Sequence, residues 1–189
     1  HQIVIVPIIP NDKDKDSVMK VVNQLNDSLS EFRVIIDDRS EVSPGFKFNE
    51  WEQKGVPLRV EVGPKDIEKN TILVSRRDDE SKNSYPMDDV ENTLKKLLDE
   101  IQDNLYKNSE NTLKENTTHV ESFSELIEVL NSKKGFVSCF WKENKEDELK
   151  IKEETSATLR CYPLENTDSE KAVNSDSENG NFAIFSKAY

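Results

Sequence analysis

The sequence predicts an α/β domain of about 110 residues followed by a smaller α+β domain, and three observations carry this. Near the start, Ile3-Val4-Ile5-Val6-Pro7-Ile8 is a continuous apolar, β-branched run that suits a strand buried on both faces. Apolar residues from Val18 to Phe32 then fall at helical spacing before Val34-Ile35-Ile36 resumes strand character. Strand, helix and strand make a βαβ unit, whose crossover is right-handed. Lastly, Val90, Leu94, Leu97, Ile101 and Leu105 form one long helical stripe that closes the first domain and runs on toward Asn116.

Taken in order, the opening run is the first strand, and Val18, Val21, Val22, Leu25, Leu29 and Phe32 mark the helix after it. Arg33 to Asp37 is the second strand. Phe46 to Gly55 reads as a short helix anchored by Trp51 and ended by Gly55 and Pro57. Leu58-Arg59-Val60-Glu61-Val62 alternates with period two, as a half-buried strand should. A turn over Gly63 to Asp66 leads to Thr71-Ile72-Leu73-Val74-Ser75, its antiparallel neighbour. Past the long helix, Ser122 to Leu130 reads as a helix, Phe136 to Trp141 as a strand, and Lys145 to Glu154 as a polar helix. Ala157 to Tyr162 and Asn181 to Phe185 are the remaining strands. Between them, Glu165 to Gly180 is rich in Ser, Asn, Asp and Glu and reads as mobile. The domains are drawn at 1–110, with the last helix extending to about 118, and at 119–189.

Composition narrows the function. The 189 residues include 26 Lys plus Arg and 38 Asp plus Glu, a net charge of −12. No segment nears the ~18 apolar residues of a membrane span, and no basic-then-apolar leader opens the chain. Two cysteines are too few for a disulfide scaffold, which points to a reducing, cytoplasmic setting. The acidity opposes nucleic-acid binding by bulk electrostatics. Yet residues 1–86 hold 13 basic and 16 acidic side chains, whereas 87–189 hold 13 and 22, so the acidity belongs mainly to the second half.

With glycines only at 45, 55, 63, 135 and 180, neither GxGxxG nor GxxxxGK[ST] can be written, and GxSxG, HExxH and EF-hand loops are absent. A flavodoxin-like nucleotide-binding domain fits the βαβ start but lacks its phosphate loop. His1 and His119 read as solvent-facing, so no catalytic triad is legible. Asp37-Asp38 at a strand end is a magnesium pattern in principle, but acidic turn residues are the plainer account. Cys139 and Cys161 fall two ligands short of a zinc site and read as buried strand cysteines. Lys54, Arg59, Lys65, Arg76, Arg77 and Lys82 gather around neighbouring strands and turns. Such cations can donate to guanine O6 or N7, and Glu can accept from a base amino group. Composition alone favours an ordinary solvated edge there.

The stretch from Gly45 to Asp78, GFKFNEWEQKGVPLRVEVGPKDIEKNTILVSRRD, closely resembles the anticodon-binding domain of prolyl-tRNA synthetases of the eukaryote-like and archaeal-like type. The opening QIVIVPI looks like that domain's first strand. Ile151 to Pro163 and the terminal FAIFSKAY resemble the extra C-terminal domain, which ends in tyrosine. The resemblance implies a class II anticodon-binding domain, a five-stranded mixed sheet with three helices, followed by a small α+β domain. Its implied partner is tRNA for proline, whose anticodon carries two guanines. By the same resemblance Glu52 accepts from a guanine's N1 or N2 hydrogens, Lys82 donates to O6, and Arg59 stacks or bridges, with Lys65 a further anticodon-binding candidate. Asp78-Asp79-Glu80-Ser81 departs from the commoner turn and bears on where Lys82 lies. The domain that uses ATP and magnesium to activate proline is missing, so the chain is expected to be inactive alone, the C-terminal part of a ligase that dimerises mainly through that absent domain. Cysteines that bind zinc in many members would fall at Lys142, at Asp147 and within Asn174 to Asn181, where none exists, so no metal is expected. Tyr189 is implied to pack back toward the catalytic domain. The rival expectation is an interaction or regulatory module that keeps the fold and has lost tRNA binding.

Overall fold

The computed structural model describes residues 1–166 and 168–187. The chain divides into two units, His1–Lys107 and Asn108–Tyr189, and the division falls inside one helix, Val90–Glu115. Tyr189 lies outside the described residues.

In the first unit, β1 (Ile3–Pro7) is buried along its length. It runs parallel to both neighbours, β2 (Val34–Ile36) and β3 (Leu58–Val62). Then β4 (Thr71–Arg76) and β5 (Lys82–Pro86) add on antiparallel, giving the order β2-β1-β3-β4-β5. Alternation along β1 splits the core. Ile3 and Ile5 join α1 (Lys15–Ser28) and α4 (Val90–Glu115) through Val18, Val22, Leu25, Leu94, Leu97 and Ile101. Val4 and Val6 pack on the other face against Trp51 and Phe48 of α2 (Pro44–Gln53). A strand that is apolar on both sides needs a helical layer on each. At the start of α2, Ser43 Oγ accepts from the Phe46 N–H at 3.3 Å, with Pro44 as the first helical residue.

The segment read as a turn after β3 holds a short helix, α3 (Pro64–Glu68), where the Gly63 N–H donates to Asp66 Oδ2 at 2.9 Å. β5 has no legible apolar pattern because it is an exposed edge strand, with Tyr85 alone packing on the core. Asp37 corrects an expectation: it is not a solvated turn residue but 3% exposed.

In the second unit, β6 (Thr117–His119), β7 (Phe136–Trp141), β10 (Asn179–Lys187) and β8 (Ala157–Cys161) pair in that order, and β9 (Ser169–Lys171) also pairs with β10. α5 (Phe123–Ser132) and α6 (Lys145–Thr155) contribute Leu126, Leu130 and Ile151 to a core with Trp141 and Phe185. Three expectations change here. The 165–180 segment read as mobile carries β9, and its Val173 N–H donates to the Phe140 carbonyl of β7 at 2.8 Å. His119 is exposed as expected, but it sits in a strand with its ring stacked on Phe182, 6.1 Å between centroids. Cys139 is buried, whereas Cys161 is exposed, because β8 is an edge strand whose last residues leave the core.

Candidate nucleic-acid interface

Three strands of the first unit present side chains in a row. Arg59 in β3 lies opposite Ser75 in β4, and Ser75 lies opposite Lys82 in β5. Directly opposed residues share a sheet face. Arg59 is also in register with Val4, so this is the face that α2 covers farther along the sheet. Glu61, two residues on in β3, shares it. From α2 come Phe48 and Glu52, one helical turn apart.

The row is tightly wired. The Arg59 guanidinium lies 4.0 Å from the Phe48 ring centroid. Its Nη1 donates to Glu52 Oε1 at 2.6 Å, its Nε to Glu61 Oε1 at 3.2 Å, and its Nη2 to Ser75 Oγ at 3.2 Å. Lys82 Nζ donates to Glu61 Oε2 at 2.9 Å. Glu61 is 5% exposed and forms the floor. The Glu52 and Lys82 side chains, 51% and 43% exposed, form the lip. The lip therefore offers solvent one carboxylate acceptor and one ammonium donor, with a flat cation on an aromatic ring between them. That combination can engage the acceptors O6 and N7 and the amino donors of guanine, and can stack on a base.

What seats α2 is a buried ion cluster at the end of β2. The Asp37 carboxylate accepts from Arg39 Nε at 2.8 Å, Arg39 Nη2 at 2.7 Å and Trp51 Nε1 at 2.8 Å. Lys47 Nζ donates to the Asp37 carbonyl at 3.1 Å, and Arg39 reaches on to Glu50 at 2.7 Å. The Arg39 fork, assisted by Trp51 and Lys47, overcomes burial and holds the Asp37 carboxyl down to about 2. Both Asp37 oxygens are engaged by the chain's own donors.

The connection between β4 and β5 is fixed in the same way. Arg76 donates to Asp78 at 2.8 Å and to Glu100 at 2.9 Å, and Asn104 donates to Asp78 at 2.8 Å. Arg76 beside it holds the Asp78 carboxyl below its ordinary value. Arg76 is thus an internal anchor for the turn that delivers Lys82, and not a cation presented to solvent. Lys54 is paired with Glu50 and lies 4.3 Å from the Trp51 ring centroid. Arg77 is exposed and donates to the Glu52 carbonyl at 3.0 Å.

Of the residues expected from the sequence, Glu52, Arg59 and Lys82 come together. Lys65 does not: it is exposed on α3, past the end of β3 away from Arg59. Phe48, Glu61 and Ser75 were not singled out. Their signal is spacing: Phe48 precedes Glu52 by four residues, and Glu61 follows Arg59 by two.

In the second unit, the positions where zinc-binding cysteines would fall hold a hydrogen-bonded clip. Asn174 Oδ1 accepts from the Lys142 N–H at 3.0 Å, and its Nδ2 donates to the Lys142 carbonyl and to Asp147 Oδ2, both at 2.9 Å. Lys142 also pairs with Glu178. Among the described residues no group of three or more His, Cys, Asp or Glu side chains could hold a metal ion. Nor is any described helix long and apolar enough to cross a membrane.

Comparison with known proteins decides the family. Residues 2–97 match the model described as "Anticodon binding domain", and residues 123–189 match "Prolyl-tRNA synthetase, C-terminal". The chain belongs to the prolyl-tRNA synthetase family. It corresponds to that family's anticodon-binding and C-terminal domains. Proline–tRNA ligase from Roseiflexus sp. (strain RS-1) is 42% identical over 193 residues, a match covering 100% of this chain and 40% of that protein. The ligase from Alkaliphilus oremlandii is 44% identical over 165 residues, covering 87% and 34%. A crystal structure of prolyl-tRNA synthetase from Cryptosporidium parvum, complexed with L-proline and AMP, matches with a TM-score of 0.89 and 35% identity. It covers 100% of this chain and 41% of that one. The chain thus spans about 40% of the length of the Roseiflexus relative. The five-stranded mixed sheet and the following α+β domain are those of the family.

Proposed function

We propose that this chain reads the anticodon of tRNA for proline as the C-terminal part of a proline–tRNA ligase. The observation that carries this is the lip formed by Glu52 and Lys82 on either side of the Phe48-backed Arg59. Glu52 accepts from the N1 and N2 hydrogens of a guanine, Lys82 donates to O6, and Arg59 stacks on the unpaired base or bridges to its neighbour. The names of the matching relatives support a tRNA partner. The parent enzyme joins proline to its tRNA through a prolyl-adenylate, using ATP and magnesium in a domain outside this chain. That domain also makes the homodimer, and the present chain does not aminoacylate alone. The whole enzyme works in the cytoplasm.

The test is binding of the 189-residue chain to anticodon stem-loops with and without the two guanines, across a salt series. Glu52→Ala should cost about 1–3 kcal/mol on the guanine-bearing loop alone, and Arg59→Ala a similar amount on that loop with a smaller loss on the others. Full affinity in both variants, with guanine preference kept, removes these residue roles. Absence of any guanine preference in the unaltered chain favours an interaction module with this fold.

A further inference from the structure

We infer that Glu61, which cannot reach a base, is a positioning residue that sets the guanine specificity of this site; the inference rests on the anticodon reading above. Both of its oxygens face inward. Oε1 takes Arg59 Nε at 3.2 Å with Ser75 Oγ at 3.5 Å, and Oε2 takes Lys82 Nζ at 2.9 Å. One carboxylate on the floor therefore holds the two cations of the site, delivered by β3 and β5.

Arg59 has two carboxylate partners with different fates. Glu52, half-exposed, is bonded to Arg59 at 2.6 Å in the free chain. That bond occupies only Glu52 Oε1, so the other carboxylate oxygen is free to accept from a guanine while the first keeps or shares Arg59. Glu61 is 5% exposed and keeps its bonds to Arg59 and Lys82 as a base binds. It holds the guanidinium flat on Phe48 and keeps the Lys82 ammonium beside it while Glu52 turns to the base.

Charge gives Glu61 a second effect. Without it, Glu52 alone would face the two cations Arg59 and Lys82, leaving one positive charge unbalanced beside an RNA loop, and phosphate attraction carries no sequence information. The Glu61 carboxylate cancels one of those charges from beneath, where no phosphate can approach it. Affinity then depends on the base edges that Glu52 and Lys82 reach.

The experiment measures binding of the full 189-residue chain to three stem-loops, one with both guanines and two with one replaced, at several salt concentrations. Glu61→Gln keeps size and one acceptor but removes the charge. It should bind the replaced loops more tightly, steepen the salt dependence by about one ion, and lower the guanine preference about tenfold. Glu61→Asp keeps the charge but is too short to hold both cations, so preference should fall with the salt slope unchanged. A purely structural role would lower the melting temperature without moving slope or preference. If the unaltered chain prefers guanine and either folded variant keeps both slope and preference, the inference is overturned and the anticodon reading stands. If the unaltered chain shows no preference, the reading beneath it fails, and the inference with it.

Discussion

Replacing Asp37 with asparagine removes the buried charge on which α2 is seated. Asp37 is 3% exposed and its carboxyl is lowered from 3.8 to about 2, chiefly by the Arg39 fork and then by Trp51 and Lys47. At about 1.4 kcal/mol per unit, that lowering corresponds to roughly 2 kcal/mol of native-state stabilisation. Loss of the charge also leaves Lys47, 5% exposed, without its counter-ion. Breaking a buried pair from one side costs about 3–5 kcal/mol, and asparagine retains one oxygen for the Trp51 N–H. A loss of about 2–4 kcal/mol is expected at pH 7. The sign with pH follows from the direction of the shift. A carboxyl lowered in the folded state contributes fully above its unfolded value near 4, and that contribution disappears as pH falls toward 2. Urea unfolding at pH 7, 4 and 2.5 should therefore show the gap between the unaltered chain and Asp37→Asn shrinking with acidity. Hydrogen exchange of the α2 amides assigns the loss to the first unit, since two units need not unfold together. A loss below about 1 kcal/mol at pH 7, or a gap that stays constant down to pH 2.5, refutes the reasoning.

Two further outcomes concern the second unit. Asn174→Ala removes the bonds to both backbone groups of Lys142 and to Asp147, and should destabilise that unit by about 1–3 kcal/mol in thermal or urea unfolding. An unchanged transition would show that the clip is dispensable. Burial pushes the Cys139 thiol up to about 12, whereas Cys161 is exposed. A disulfide reagent at pH 8 should thus titrate one thiol per native chain and both in denaturant; two in the native chain would contradict the burial of Cys139.

Elements with buried faces were legible. The β1 run is apolar throughout because both of its faces are buried, and β7 is apolar along most of its length. The α1 and α4 stripes recur at helical spacing because one side of each faces a core. β5, β6 and β9 were not, since short polar strands at or near a sheet edge have little apolar face to display. At the site, the Gly45–Asp78 motif pointed to Glu52 and Arg59 and, just past it, to Lys82; spacing puts Glu61 on the Arg59 face, but nothing local marked Glu61 or Asp37 as buried. Both are acidic residues in stretches where a solvated position is the ordinary expectation.

The sequence by itself determined the two-domain α/β and α+β order, the family and the residue types available to read a base. Its net charge of −12 described the whole chain, and mainly its second half, rather than the site. Only the tertiary structure decided which charges face solvent. Arg76 is held by Asp78 and Glu100, Asp37 by Arg39 and Trp51, and Glu61 by Arg59 and Lys82, across separations of up to 24 residues. Strand register and helix packing bring these partners within hydrogen-bond reach, and only then does pairing offset the cost of taking each charge out of water.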